Sequence, residues 1–255
     1  MSDGPQPQLH PLVAGFTDAH AYDRGRPPYD ERAVALLRDG LGLSSGAPVL
    51  ELGAGTGQLS RALLAAGLDV TAVEPLAHMR ALLSRTVGGD RVLEGVAEDI
   101  PVRDGAVDAV LAADSFHWFD ETRAMPEIRR VLRPGGGVAI LRSISTLDAA
   151  WSEELWRIVH AERPDHPAFA ERGAAAALED DPAFGDVVEA SLSTEWVIDR
   201  DGILAFLSSI SWVGALAEGP RTQLLRLAAD VLDRNEVRES RAPVTHQIWM
   251  ARLDD

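Results

Sequence analysis

The chain has 255 residues, 46% of them hydrophobic and 25% charged, enough for one large α/β domain or a core with a small cap. Its 40 acidic residues outnumber 24 basic ones for a net charge of −16, so a DNA or RNA partner is not expected, although a local arginine can still serve a small anionic substrate. With no cysteine there is no disulfide, thiolate zinc site or cysteine nucleophile. No apolar run approaches the roughly 18–20 residues that cross a bilayer, and no basic-then-apolar leader opens the chain; a cytoplasmic location is expected, with no membrane partner.

Residues 1–11 read as a disordered lead-in and 12–44 as an N-terminal helical lid. Within that lid, Phe16 to Tyr29 carries aromatics, Arg24 and Arg26, and Asp30 to Leu41 has helical apolar spacing. Residues 45–143 alternate short apolar runs with helical ones. Strands are expected at Val49–Leu52, Val70–Val73, Arg91–Glu94, Val107–Ala112 and Val138–Leu141, with helices at Gln58–Ala66, Leu76–Thr86 and Arg123–Leu132. That rhythm predicts βαβ units, a largely parallel sheet and helices on both faces. Residues 144–185 read as a helical insertion, with a helix over Ala149–Glu162 and an Ala-rich helix after it. Residues 186–255 return to the sheet through strands at Val187–Ile198 and Val244–Leu253, around helices at Ile203–Leu216 and Arg221–Asp233.

The chemistry concentrates at Glu51-Leu-Gly53-Ala54-Gly55-Thr-Gly57, between the first strand and its helix. A helix start offers free N–H groups and partial positive charge, and glycines let a ligand approach the backbone. Ligands of doubly wound sheets bind at the carboxyl ends of strands, where this turn falls. Glu74, ending the second strand, is placed to accept hydrogen bonds from both hydroxyls of a ribose. A tight structural turn and a nicotinamide site are the alternatives. The spacing, however, is G-x-G-x-G rather than G-x-G-x-x-G, and Glu51 would repel a pyrophosphate while suiting an ammonium or sulfonium.

The run Val49-Leu-Glu-Leu-Gly-Ala-Gly-Thr-Gly57 resembles motif I of the class I S-adenosylmethionine-dependent methyltransferases. Val70-Thr-Ala-Val-Glu74-Pro75, Gly95-Val-Ala-Glu98-Asp-Ile-Pro101, Asp108-Ala-Val-Leu and Arg130-Val-Leu-Arg-Pro-Gly-Gly-Gly137 resemble the segments that follow it in that family. Phe16 to Tyr29 and Ser115-Phe-His-Trp-Phe-Asp120 are similar to a small-molecule subgroup that includes trans-aconitate methyltransferase-like proteins. The resemblance implies a Rossmann-like, seven-stranded, mostly parallel sheet with an antiparallel last strand and helical insertions over the active site. It implies S-adenosylmethionine as cofactor. Gly53, Ala54, Gly55 and Gly57 would then line its methionine portion with Glu51 nearby, Glu74 and Pro75 the ribose, Ala97 and Glu98 the adenine edge, and Asp114 and Ser115 the methionine end. Val96 stands where many relatives carry an acid, which moves adenine recognition to Glu98.

Methyl transfer needs alignment and exclusion of water, and a base only when the acceptor arrives protonated. His117, after the fourth strand and with an ordinary pKa near neutrality, is the candidate catalytic base; structural packing beside Trp118 and Phe119 is the alternative. Tyr22 and Arg26 are candidate cofactor contacts from the lid. Trp118, Trp151 and Trp212 are candidate acceptor contacts, against a plain core role. His160, His166 and His246 lack metal-site spacing, so no metal is expected. The function expected is transfer of a methyl group to an oxygen or nitrogen of a small molecule by a monomer or homodimer. A non-catalytic cofactor-binding module and a nicotinamide-dependent oxidoreductase are the competing readings.

Overall fold

In a computed structural model the protein is described over residues 9–147, 149–161, 164–169 and 175–254. Most of the expected lead-in (1–8) and part of the Ala-rich segment (170–174) lie outside the described residues.

A 3₁₀ turn over Pro11–Gly15 leads into α1 (Ala19–Gly25) and α2 (Glu31–Leu41). Asp30 caps α2 by accepting from Arg32 N and Ala33 N, and Gly42, at φ 67°, ends it. Then β1 (Pro48–Leu52), α3 (Gln58–Ala65), β2 (Asp69–Val73), α4 (Ala77–Val87), β3 (Val92–Leu93), β4 (Val107–Ala113), α5 (Glu121–Val131) and β5 (Leu132–Ser145) build the parallel part. There follow α6 (Ser152–His160), α7 (Ala176–Glu179), β6 (Val188–Asp199), α8 (Arg200–Ser208), α9 (Ser211–Gly214), α10 (Glu218–Arg234) and β7 (Glu239–Arg252).

The seven strands form one sheet in the order β3-β2-β1-β4-β5-β7-β6. Neighbours are parallel from β3 to β5, while β7 runs antiparallel to both β5 and β6. Period-two alternation divides the core. Leu50, Leu52, Val110 and Ile140 pack with Ile128 of α5 on one face, and Val49, Leu111 and Leu141 pack with Leu37, Leu59 and Leu63 on the other. The sheet order reverses at β1 and β4, whose carboxyl ends open the crevice that holds the site.

Three elements depart from the sequence expectation. β5 begins at Leu132 and runs on to Ser145, past the end of β4, because β7 continues to pair with it through Ser145↔Val244. β7 starts at Glu239 rather than Val244, carried by its ladder with β6 (Glu195↔Pro243 through Asp199↔Glu239). The helical stretch expected over Ile203–Leu216 is two helices, α8 and α9, separated at Ser209 and Ile210.

A third apolar cluster forms a cap from both sides of the sequence, joining Leu155 and Val159 of α6 to Phe206, Leu207, Trp212 and Leu224. The N-terminal segment docks on this cap by close backbone approach. A Cβ on Gly25 would lie 2.3 Å from Phe206 N, and one on Gly15 would lie 1.8 Å from Ser211 O. Gly25→Ala therefore forces α1 away from α8 and is expected to cost about 1–3 kcal/mol in urea unfolding. Gly219→Ala, whose Cβ meets nothing, is expected to be neutral or to stabilise α10 by up to about 1 kcal/mol.

Candidate active site

The turn after β1 is wound by Gly53, Gly55 and Gly57, at φ 64°, 58° and 92°. Gly53 N and Ala54 N both donate to Val73 O, at 2.9 and 3.2 Å, tying the turn to the end of β2. Glu74 completes the tie: its Oε2 accepts from Gly55 N at 2.9 Å and its Oε1 from Leu76 N at 2.9 Å. Burial raises the Glu74 pKa, and these two N–H groups partly offset that effect. The sequence reading placed Glu74 as a ligand residue; its bracing of the loop was not visible there. A Cβ on Gly53 would stand 2.7 Å from Ser115 Cβ, so the turn and the loop after β4 meet without room for a side chain.

Above this turn lies a cavity of about 750 Å³. Gly53, Gly55, Glu74, Pro75, Ala97, Glu98, Asp114, Ser115 and Tyr22 all line it, so the structure brings most of the expected cofactor residues together. Leu9, Val13, Phe16, Leu76, Met79, Gly95, Val96, Trp118 and Phe119 complete the wall. The N-terminal residues among them were not anticipated, because nothing in their local pattern says what they cover. Ser115 Oγ is spent on Leu52 O at 2.8 Å. Glu98 lines the cavity while its Oε1 accepts from Asp120 N at 2.7 Å. Gly57 departs from expectation. It lies at the N-cap of α3, and its missing Cβ makes room for Leu83 Cδ1, which a Cβ would meet at 2.8 Å.

A polar recess of about 510 Å³ continues beneath the turn, lined by Glu51, Gly53, Ala54, Tyr22, Arg26 and Asp114 among others. Arg26 lies 4.8 Å from the Tyr22 ring centroid and 5.5 Å from that of Phe206. Its Nη2 donates to Ser209 O at 2.8 Å, while its buried Nε has no partner. Glu51 is 2% exposed and accepts from Ser60 Oγ. Burial, aided by the neighbouring Glu74 charge, lifts its pKa from 4.5 to about 7 against the lowering effect of Ser60 and Arg61.

Asp114 joins the three spaces. At φ 52° it takes a left-handed backbone that few non-glycine residues adopt. Ser143 N donates to its Oδ1 at 2.7 Å and Tyr29 Oη to its Oδ2 at 2.9 Å. Ser143 Oγ lies 3.0 Å from His246 Nδ1, and the His246 Nε2 is buried without a partner. Ser143 and His246 were not anticipated in this role; only the tertiary pairing of β5 with β7 reveals it.

Behind Trp118 opens a third cavity, of about 1360 Å³, lined by His117, Trp118, Arg142, Trp156, His166, Phe206 and Trp212 among others. Phe16, Tyr22, Asp114 and Trp118 line both this cavity and the one above the glycine turn. His117 lies on this side, its ring 4.7 Å from Trp118 and 5.9 Å from His166. Its expected near-neutral pKa is corrected: desolvation first, then the charges of His166, Arg142, Arg26 and His10, lower it to about 3. The imidazole is thus neutral at ordinary pH. Trp212 lines the cavity and donates to Val159 O at 3.3 Å. Trp151 does not line these spaces: it stands at the N-terminus of α6 and packs on the apolar core of the cap, while Trp156, one turn on, faces the cavity. His160 also reaches this wall. Among the described residues, no three His, Asp or Glu side chains are placed to hold a metal ion, and no helix is long and apolar enough to cross a membrane.

This architecture is that of the class I, Rossmann-like methyltransferase domains. Residues 50–140 match the family model described as a methyltransferase domain. An uncharacterized methyltransferase from Mycobacterium tuberculosis is 43% identical over 139 residues, covering 54% of this chain and 56% of that protein. The malonyl-[acyl-carrier protein] O-methyltransferase of Pectobacterium atrosepticum is 36% identical over 148 residues, covering 52% of this chain and 57% of that one. The chain thus spans somewhat over half the length of these curated relatives. A solved structure from Anaeromyxobacter dehalogenans, described as a candidate type II methyltransferase, aligns at a TM-score of 0.62 and 25% identity, covering 89% of this chain and 97% of that one.

The Glu51 environment has a pH signature. With a folded pKa of about 7 against an ordinary 4.5, the folded state holds its proton where the unfolded chain has lost it. The stability this contributes is complete below about pH 4.5 and is lost as pH rises toward 7. Glu51→Gln, compared with the wild type by urea unfolding of the ligand-free protein, is expected to gain about 2–3 kcal/mol relative to it between pH 5 and pH 8. A constant difference between the two proteins across that range would contradict the assignment.

Proposed function

We propose that the chain is an S-adenosylmethionine-dependent methyltransferase that passes a methyl group to an oxygen or nitrogen of a small molecule by in-line displacement. The observation that carries the reading is the braced turn, in which Glu74 holds Gly55 while facing the same cavity as Ala97 and Asp114. A phosphate-bearing cofactor fits this site poorly, because Glu51, Glu74 and Asp114 all face the two spaces around the turn.

The residues present fit the sulfonium cofactor. Each Glu74 oxygen accepts one backbone N–H and retains a lone pair for a ribose hydroxyl. Arg26, whose buried Nε has no partner, lines the recess where an amino-acid carboxylate would sit, together with Glu51 and Asp114 for the ammonium. Ala97, Glu98 and Pro75 border the adenosine side, and Ser115 and Gly53 keep the floor thin. The cofactor, when bound, supplies a methyl group on a positively charged sulfur. Trp118, Phe16 and Tyr22 then exclude water from the junction of the two larger cavities and align the acceptor. His117 touches the acceptor as a neutral hydrogen-bonding group, its protonation opposed first by burial and then by the surrounding cations. Trp118 and Trp212 form the acceptor wall.

Two measurements test this. Glu74→Ala is expected to weaken S-adenosylhomocysteine binding by about 10- to 100-fold in isothermal titration, since it removes charged hydrogen bonds each worth about 1.5–3 kcal/mol and the brace on Gly55. Incubation of the wild type with methyl-labelled S-adenosylmethionine and a cell extract is expected to place label in a low-molecular-weight product. Cofactor binding with no transferred label would favour a non-catalytic binding module.

A further inference from the structure

We propose that the 1360 Å³ cavity receives an acceptor carrying a compact oxyanion on an apolar or aromatic body, with Arg142 reading the anion. The word acceptor rests on the methyltransferase reading; the anion site itself rests on the cavity alone.

Arg142 stands where β5 outruns β4. Ala113↔Leu141 is the last parallel pair, and Arg142 pairs only with Gln247 of β7. The overhang Arg142–Ser145 thereby forms a wall of the cavity, with Thr146 following. Half-buried there, the Arg142 side chain makes no hydrogen bond or ion pair with any described residue. Arg24, Arg61, Arg80, Arg129 and Arg200 each pair with a carboxylate, and Arg26, on the same lining, pairs with none but donates to Ser209 O. The Arg142 guanidinium lies on a concave wall with neither kind of partner.

The other charged groups around the cavity do not use it. Asp114, on the same lining, has Oδ1 taken by Ser143 N and Oδ2 by Tyr29 Oη. Arg26, the second guanidinium, is held by Ser209 O and by the Tyr22 and Phe206 rings. His117 feels a net positive surrounding that includes both arginines and His166. The apolar part of the lining includes Trp156, Phe206, Ile210 and Trp212. One uncommitted planar fork in a cavity that also has an aromatic lining suits a carboxylate or phosphate ester on a hydrophobic body, because guanidinium binds such anions through paired N–H groups. A neutral ligand of the same shape would leave the guanidinium desolvated and unpaired.

The test titrates the full chain, saturated with S-adenosylhomocysteine, with 3-phenylpropionate, indole-3-propionate and phenyl phosphate. Each is compared with its neutral counterpart, the two amides and phenol. The readout is the heat of binding in isothermal titration, which the indole and phenyl chromophores of the titrants do not disturb. At least one anion is expected to bind ten times or more tightly than its counterpart, and carboxylate against phosphate identifies the oxyanion. Arg142→Gln is expected to abolish the preference and Arg142→Lys to keep part of it, with S-adenosylhomocysteine affinity unchanged within about twofold in both. No anion preference in the wild type, or an undiminished one in Arg142→Gln, overturns the proposal. Failure of S-adenosylhomocysteine to bind would instead strike the cofactor assignment, and the same titrations on the ligand-free protein would still decide the anion site.

Discussion

One carboxylate organises the site. Glu74 ends β2, takes the N–H of Gly55 on one oxygen and that of Leu76 on the other, and so holds the glycine turn against the strand beside it. The turn can lie there because three of its residues have positive φ and carry no Cβ. Placing a charge at 5% exposure is costly, and the raised pKa registers that cost. The two backbone donors limit it while leaving lone pairs facing the cavity. Glu51, below, carries the same penalty further, with a pKa near 7. Two buried acids around one turn make a site suited to a cation and hostile to a pyrophosphate.

From that turn outward the molecule is a sequence of adjoining spaces. Asp114 touches all three, fixed by Tyr29 from the lid and Ser143 from β5. Trp118, Phe16 and Tyr22 stand where the cavity above the glycine turn meets the larger one. Phe16 and Tyr22 belong to the N-terminal segment, which is seated by the backbone contacts of Gly15 and Gly25 with α9 and α8. Small residues in the lid therefore set the position of aromatic ones in the site, although they touch no ligand themselves.

The parts legible in the sequence were those encoded locally. Short apolar runs alternating with helical ones gave the strands of the sheet, the apolar spacing of Asp30 to Leu41 gave α2, and the G-x-G-x-G turn with Glu74 located the cavity. What escaped was tertiary in origin. Arg142 to Ser145 alternate like a strand, but only pairing with β7 carries β5 that far. Gly57 was read as ligand-lining when it accommodates Leu83 of a neighbouring helix. Trp151 and Trp156 are both apolar positions of one helix, and only the packed cap shows that the second faces the cavity. The His117 residue was found from its place after β4; its low pKa depends on burial and on cations brought in from distant parts of the chain.

The most direct measurement of the central claim is a crystal structure of the chain with S-adenosylhomocysteine. Ribose hydroxyls are expected within hydrogen-bonding distance of Glu74, adenine beside Ala97 and Glu98, and the amino-acid end in the recess of Arg26, Glu51 and Asp114. A ligand bound elsewhere, or a Glu74 carboxylate that keeps only its contacts to Gly55 and Leu76 with no ribose against it, would contradict the claim.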